Sequence, residues 1–375
     1  MDSEEDGLDP GAIERLAYEL GFDGFGIAGP GIDEAVTRYK KWIELQYHGD
    51  MAYMSRWLEK RADLNQVLPG VKSVICLKKN YLTASKDMGF LNERDVGDIS
   101  LYAMNEDYHD VLKPRLRQLE QKVQEIFAGC QTLIYTDTGP VLEKPLAQKA
   151  GLGWIGKHTN LITEGAGSWY FLAEILVDVA LPPSVEAVDR CGTCTACIDI
   201  CPTRAIVAPY VLDARKCISY LTIELKGVIP PEFRKAIGNH IYGCDDCQIV
   251  CPWNAHAVPI PDEVFVAREG TRQLLELMRL DDEGFRARFR KSPVKRIKRR
   301  GLLRNVAVAL GNSGNPHAVP PLVEALSDPE PLIRAHAVWA LGELLGERAG
   351  AVVHENLENE QEEMVLEEVR RLDAV

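Results

Sequence analysis

The stretch CGTCTACIDICP at residues 191–202 is followed, after a lone Cys217, by GCDDCQIVCPW at residues 243–253. Together they hold eight of the chain's ten cysteines. The spacing is Cys191-x2-Cys194-x2-Cys197-x3-Cys201-Pro202, then Cys217, then Cys244-x2-Cys247-x3-Cys251-Pro252. Such runs hold pairs of 4Fe–4S clusters in bacterial ferredoxins, where the fourth cysteine of each run ligates the other cluster. That logic assigns Cys191, Cys194, Cys197 and Cys251 to one cluster and Cys201, Cys217, Cys244 and Cys247 to the other. The competing readings are zinc and disulfides. Zinc favours separated CxxC pairs, often with histidine, over three cysteines in one CxxCxxC run. The spacing predicts a protein that moves electrons. Cys76 and Cys130 stand alone in apolar surroundings and read as inert core residues.

A length of 375 residues accommodates two or three domains, and 46% hydrophobic with 26% charged residues is ordinary for a globular protein. No apolar run approaches a membrane span. The N-terminus, MDSEEDGLDPGAIERL, carries no basic-then-apolar leader and no twin-arginine pair, and with the clustered thiols it predicts a cytoplasmic protein with no membrane partner. The net charge of −13 argues against a polyanionic partner, but its distribution does not. Residues 286–304, RARFRKSPVKRIKRRGLLR, hold ten Lys or Arg and no acid. A solvated helical face is the common fate of a charge run. With no acid inside the run to neutralise it, a polyanion site is the preferred reading.

Periodicity predicts a helix from Asp9-Pro10 to Gly21, a short FGIAG strand, helices across 34–64, and a buried strand at VKSVICL (71–77). It further predicts an amphipathic helix from Leu112 to Phe127, a strand at TLIYTD (132–137), and a hairpin in LITEGAGSWYFLAEILVD. Residues 1–185 therefore read as an α+β domain. The cysteine region at 186–262 is bounded by Pro182-Pro183 and by Pro259 and Pro261. A basic linker follows at 263–300, and a helical repeat tail occupies 301–375. In that tail, VPPLVEALSDPEPLIRAHAVWALGEL (319–344) reads as one HEAT-type helix pair. LLRNVAVALGNSG before it reads as the second helix of a preceding unit, and an acidic helix closes the chain. Too few units are present to bury their own faces, so the tail is expected to dock on the body.

DTGPVLEKPLAQKAGLGWIGKHTNLI (137–162), shortly before the first cysteine run, resembles the epoxyqueuosine reductase family. Further matching stretches are LPGVKSVI (68–75), YAMNEDYHDVL (102–112), GCDDCQIVCPWN (243–254) and FRKSPVKRIKRRGLLRNVAVALGN (289–312). The resemblance runs through nearly the whole chain in the same order. It implies a nitroreductase-like cobalamin-binding core, a ferredoxin-like insertion with two 4Fe–4S clusters, and C-terminal HEAT-like repeats. The implied activity is two-electron removal of the epoxide oxygen of epoxyqueuosine at the wobble position of tRNA with a GUN anticodon, giving queuosine. An external low-potential electron donor is implied, and a monomer is expected. The cobalamin is expected base-off, with no protein histidine on cobalt. Asp107-Tyr108-His109 superficially suggests a D-x-H-x-x-G lower-ligand motif, but Leu112 replaces the glycine.

The resemblance makes Asp137 the proton donor, a role that calls for a raised pKa. The competing reading is a turn-capping aspartate. It also makes Arg61, Tyr102, His109, Asp137, Lys157, Asn160, Tyr220 and Gln248 candidates for the cobalamin site. The family's arginine and glycine in one neighbouring loop are replaced here by Leu101 and Asn105. Lys291, Lys295, Arg296, Lys298, Arg299, Arg300 and Arg304 are the candidate tRNA phosphate contacts, with Trp253 and Tyr242 as candidate stacking partners for the target base. The alternatives are a reductive dehalogenase-like enzyme acting on a small organohalide, and a non-catalytic electron carrier. The first leaves the basic run and repeat tail without purpose. The second leaves DTGP and GWIGK unexplained.

Overall fold

The computed structural model describes residues 10–260, 262–266 and 272–374. The acidic residues 1–9 and the boundary residue Pro261 lie outside the described residues. Four antiparallel strands form the central sheet, in the order Gly24–Ala28, Ser73–Asn80, Tyr170–Val177, Thr132–Tyr135. Ile27, Ile75, Ile175 and Ile134 lie side by side across all four. Both faces are covered, so the strands are apolar almost throughout rather than alternating. On one face Ile13 and Ala17 of helix Pro10–Glu19, and Leu112, Leu116, Leu119 and Val123 of helix Tyr108–Ile126, pack against Phe171, Ala173, Ile175 and Val177. On the other face Leu146 and Ala147 of helix Glu143–Lys149 pack with Leu172 and Leu176.

Several expected elements differ in detail. The helical region 34–64 is broken into Asp33–Glu44, Ala52–Arg56 and Leu58–Ala62. The hairpin predicted in 161–178 does not form as one unit. Leu161–Ile162 pairs back with Trp154–Ile155, while Tyr170–Val177 runs alone into the central sheet. A Thr163↔Gly167 bridge closes the glycine turn between them.

The tail consists of helices Lys298–Ser313, Val319–Ala325, Pro331–Leu345, Ala349–Asn356 and Glu363–Asp373, and it docks on the body as expected. The docking is partly polar. Arg234 is fully buried, donates to Glu368 in a fork at 2.7 and 2.7 Å, and donates through Nε to the Ile229 carbonyl. His336, buried and held far below its usual pKa first by burial and then by the Arg234 and Arg304 charges, accepts from the Ile229 amide at 3.1 Å.

Removing one member of a buried ion pair leaves the other charge without compensation. Glu368→Ala is therefore expected to destabilise the tail by about 3–5 kcal/mol. Removing the exposed outer partner of Glu368, Arg371, is expected to cost under about 1 kcal/mol. Urea unfolding followed by helical circular dichroism measures both.

Candidate active site and cluster ligands

The eight cysteines gather into two knots. Cys197 is pushed up to about 11, first by burial and then by the neighbouring Cys251, Cys191 and Cys194 thiols. Cys247 is raised by burial and by Cys217, Asp245, Cys197 and Cys201, and Cys244 by burial, Asp246, Cys247 and Cys217. Each knot thus contains the four cysteines assigned to it by spacing, and Cys247 and Cys197 bring the knots within electrostatic reach of each other. None of the ten cysteines is in a disulfide. An all-thiol donor set fits iron–sulfur clusters.

A mixed grouping of His240, Cys244 and Asp246 also brings ligand atoms within 4.8 Å. It does not suit a separate metal. Both ring nitrogens of His240 are engaged, with the Ile237 carbonyl at 2.7 Å and Asp246 at 3.0 Å. Asp245 anchors the same loop to the body. It accepts from Ser100 Oγ and the Leu101 amide, and pairs with Lys86, which also reaches Asp98. Gly243 has φ +74°, and a Cβ there would lie 2.6 Å from the Ser100 side chain, so only glycine fits.

A cavity of about 470 Å³ opens beside the second knot. Its wall is largely aromatic and apolar, including Tyr53, Tyr102, Tyr220, Tyr242 and Ile223, and Cys217 is part of it. The polar part is Asp107, Tyr108, His109, Asp137, Ser219, Glu224, Lys295 and Arg296. Asp137 follows the strand Thr132–Tyr135 in a turn and has φ +58°, a left-handed conformation uncommon for a non-glycine residue. Such strain persists only where its surroundings enforce it. Here the Tyr108 hydroxyl donates to Asp137 Oδ2 at 2.7 Å, and His109 Nε2 faces the same oxygen at 3.5 Å. The Asp137 amide donates to Glu143 at 2.5 Å. His109 Nδ1 meets Asp107 at 2.7 Å, and Asp107 also pairs with Lys295.

The electrostatics correct one expectation. Burial pushes the Asp137 carboxyl up, but hydrogen bonds from His109 and Tyr108 and the charges of His109 and Arg296 outweigh it and hold the pKa below the usual range. Burial likewise lowers His109, but Asp107 and Asp137 more than reverse that and raise it to about 9. The two shifts favour an imidazolium facing a carboxylate at neutral pH.

Tyr102, His109, Asp137 and Tyr220 line the cavity, and the other four candidate cobalamin contacts do not. Arg61 is buried and donates to the carbonyls of Tyr53 and Met54, so it shapes the wall from behind. Lys157 holds the first cysteine loop through the Gly192 and Cys194 carbonyls. Asn160 accepts from Lys144, and Gln248 donates to Ser168. Sequence reading missed Tyr108, Tyr53, Glu143 and Glu224. Tyr108 adjoins His109, and Glu143 lies in the same motif as Asp137.

The basic run also needs correction. Acids from distant segments pair with it: Glu224 with Arg296, Asp328 with Arg299, and Glu330 with Arg300. Arg304 is 1% exposed and donates to the Leu221, Leu225 and Gly227 carbonyls, so it offers nothing to a phosphate. Arg299 is largely buried against Asp328. Lys291, Lys295, Arg296, Lys298 and Arg300 remain exposed. Trp253 packs edge-on against Trp154 beside Cys191 and Cys251, whereas Tyr242 lines the cavity.

Residues 190–254 match a 4Fe-4S double cluster binding domain, residues 61–138 an epoxyqueuosine reductase QueG family model, and residues 300–372 HEAT repeats. The epoxyqueuosine reductase of Escherichia coli K12 is 40% identical over 352 residues, spanning 93% of each chain. The chain belongs to the epoxyqueuosine reductase family. Its relative in Pseudomonas aeruginosa is 43% identical, over 90% of this chain and 96% of that one. A crystal structure of an epoxyqueuosine reductase with a tRNA-Tyr epoxyqueuosine-modified stem loop superposes with a TM-score of 0.88 at 30% identity, covering 96% and 97% of the two chains. The Bacillus subtilis enzyme, solved with its catalytic aspartate loop swung out of the active site, superposes with a TM-score of 0.87 at 30% identity over the same shares. No helix among the described residues is long and apolar enough to cross a membrane.

The two pKa shifts set opposite pH limits. His109 is raised, so its stabilisation is complete below its ordinary 6.5 and fades as pH climbs through about 9. Asp137 is lowered, so its share is complete above the ordinary carboxylate pKa and is lost as pH falls. His109→Gln is expected to flatten thermal stability between pH 6.5 and 9. It should also return the Asp137 carboxyl toward its ordinary pKa. Melting temperature against pH and carboxyl carbon NMR titration measure the two effects.

Proposed function

We propose that this chain reduces epoxyqueuosine in tRNA to queuosine: the epoxide takes up two electrons and two protons, its oxygen leaves as water, and a cyclopentene remains. The observation that carries the reading is a single cavity with Cys217 of one thiol quartet and the strained Asp137 in the same lining. When bound, cobalamin supplies a low-valent cobalt centre able to take up electrons one at a time and spend them on a carbon–oxygen bond.

The aromatic wall suits the cofactor. Tyr53, Tyr102, Tyr220, Tyr242 and Ile223 present broad apolar surface to a flat macrocycle, with few charges to desolvate. Electrons from an external low-potential donor would enter at the quartet containing the exposed Cys194 and leave through the quartet containing Cys217. The core is read as nitroreductase-like, the cobalamin as base-off, and the enzyme as a cytoplasmic monomer.

Asp137 is the proton donor in this reading, and His109 keeps it supplied. In the open cavity the proton rests on His109. Covering the pair with cofactor and substrate removes water, raises the cost of separated charges, and moves the proton to Asp137, next to the departing oxygen. Tyr108 orients the accepting oxygen. The related enzyme with its catalytic aspartate loop swung out supports a turn that moves between two positions.

Lys295 and Arg296 stand at the cavity, with Lys291, Lys298 and Arg300 exposed along the same segment. They are the proposed phosphate contacts for an anticodon stem-loop whose modified base is turned into the cavity. The relative solved with a stem loop supports this side of the reading.

Reconstituted protein supplied with cobalamin, a low-potential reductant and epoxyqueuosine-tRNA is expected to yield queuosine, scored as released nucleoside. Asp137→Asn is expected to keep both clusters and cobalamin while turnover falls by roughly 10²–10⁴-fold. Lys295→Ala with Lys298→Ala is expected to weaken tRNA binding and to reduce its salt slope by about 0.9 for each phosphate left unneutralised. Dehalogenation of a small substrate without any queuosine would overturn the reading.

A further inference from the structure

Glu174 is the least expected residue in the central sheet. It lies in YFLAEILV, between Leu172 and Leu176, on the face that packs against helix Glu143–Lys149. It is 0% exposed, and neither carboxyl oxygen has an N–H or hydroxyl donor. A buried carboxylate without a donor is strongly disfavoured. Its acidic neighbour is Glu143, whose charge raises its pKa further, and two carboxyls can stand together in a dry site only with a proton between them.

The groups facing this pair compensate it only weakly: the Lys144 charge pulls Glu143 down, but burial and the Asp137 charge outweigh it. Cys76 sits opposite Glu174 on Ser73–Asn80 and Tyr135 opposite it on Thr132–Tyr135. Asp137 and Tyr108, both in the cavity lining, interact with Glu143 and bring it no positive charge. Lys144 is next in sequence, but its ammonium donates to the Thr159 carbonyl and to Asn160. Glu143 meanwhile accepts from the amide of Asp137, the residue held at φ +58°.

We propose that Glu143 and Glu174 share one proton beneath the Asp137 turn, and that this shared proton holds Glu143 in place as the acceptor that keeps Asp137 turned into the cavity. The proposal rests on the reading of Asp137 as proton donor. Glu143 and Glu174 are positioning residues: they touch neither substrate nor cofactor and act through the Asp137 backbone. Burial and the nearby Asp137 charge push Glu143 up to about 7, and burial with the Glu143 charge raises Glu174 further. Both shifts are upward, and Glu174 lies above Glu143, so the pair passes from two protons to the one it shares as pH rises through about 7; the arrangement loosens only at higher pH, when that last proton is lost and the carboxylates repel.

Amide hydrogen exchange of residues 136–142, corrected for the intrinsic rate at each pH, tests this in the intact protein. Wild type is expected to keep strong protection as pH rises through about 7 and to lose it only at higher pH, once the shared proton is gone. Glu174→Gln keeps the shape and a donor but cannot ionise, so protection should stay high with no step. Glu143→Ala should lose protection at every pH. Its kcat should fall by up to roughly 10²-fold, with KM for the tRNA and the cluster content unchanged. Glu143→Gln, whose amide oxygen still accepts from Asp137, should restore both. A pH step that persists in Glu174→Gln, or wild-type exchange in Glu143→Ala, would overturn the proposal. If wild type makes no queuosine, the functional reading fails, and the exchange measurements still decide whether the acid pair fixes the turn.

Discussion

The guanidinium of Arg304 is the constraint on which the assembly of the molecule depends. It projects from helix Lys298–Ser313 and is buried against three carbonyls, those of Leu221, Leu225 and Gly227. Asn305 beside it donates to the Thr222 and Ile241 carbonyls, and Asn312 to those of Arg234 and Gly238. All these acceptors lie between Cys217 and Cys244. Most of these carbonyls lie in the last turn of the short helices Ile218–Ile223 and Pro231–Ile237 or just beyond it, where intrahelical donors run out, so they need donors from elsewhere. Burial lowers Arg304 to about 9, which leaves it charged at neutral pH and bound to dipoles rather than to a counter-ion. The repeat tail therefore does more than cover apolar surface. It fixes the loop that carries Cys217 and places Tyr220 and Tyr242 in the cavity wall.

The basic run illustrates how one stretch of sequence serves two ends. Arg304 and Arg299 face inward and build the fold, while Lys291, Lys295, Arg296, Lys298 and Arg300 remain at the surface. Absence of acids within the run does not mean absence of acids around it. Glu224, Asp328 and Glu330 arrive from other segments and neutralise part of the charge. A polyanion arriving at this face has to displace or share those partners. Exposed pairs of this kind are individually weak, so exchanging a carboxylate for a phosphate costs little.

Spacing groups the eight cysteines in fours, and the thiols within each four stand near enough to raise one another's pKa, because cluster ligation imposes a local periodicity that short-range sequence records. Asp137 and the docking of the tail were legible as well, the first through its motif and the second because the helix pairs are too few to bury themselves. Contacts made between distant segments were not. Arg61, Lys157, Asn160 and Gln248 sit in matching stretches, yet each bonds to backbone or to a side chain behind the site. Nothing in a polar residue's neighbours in sequence says which side of a loop it will take. The raised pKa expected for Asp137 failed for the same reason: Tyr108 and His109, which lower it, come from a helix 29 and 28 residues earlier. Glu174 left the clearest unused signal, an acid at the centre of an eight-residue apolar strand.

The low pKa of Asp137 and the acid role proposed for it are compatible once the cavity is considered in two states. A carboxylate facing an imidazolium is stable while water reaches it, and Asp137 has 51% of its side chain exposed in the open cavity. Separated charges lose that support in a dry site, and the neutral pair becomes the better arrangement. The proton is then on Asp137 only when something fills the cavity. A low-valent metal centre near a standing acid would lose its electrons to protons. On the proposed reading, keeping the proton on His109 until the substrate arrives would separate the two reactants, with electrons on the Cys217 side and the proton on the His109 side. The wall of tyrosines between them supplies apolar surface and, at neutral pH, no readily lost proton: burial raises the pKa of Tyr53, Tyr102, Tyr108, Tyr220 and Tyr242 alike.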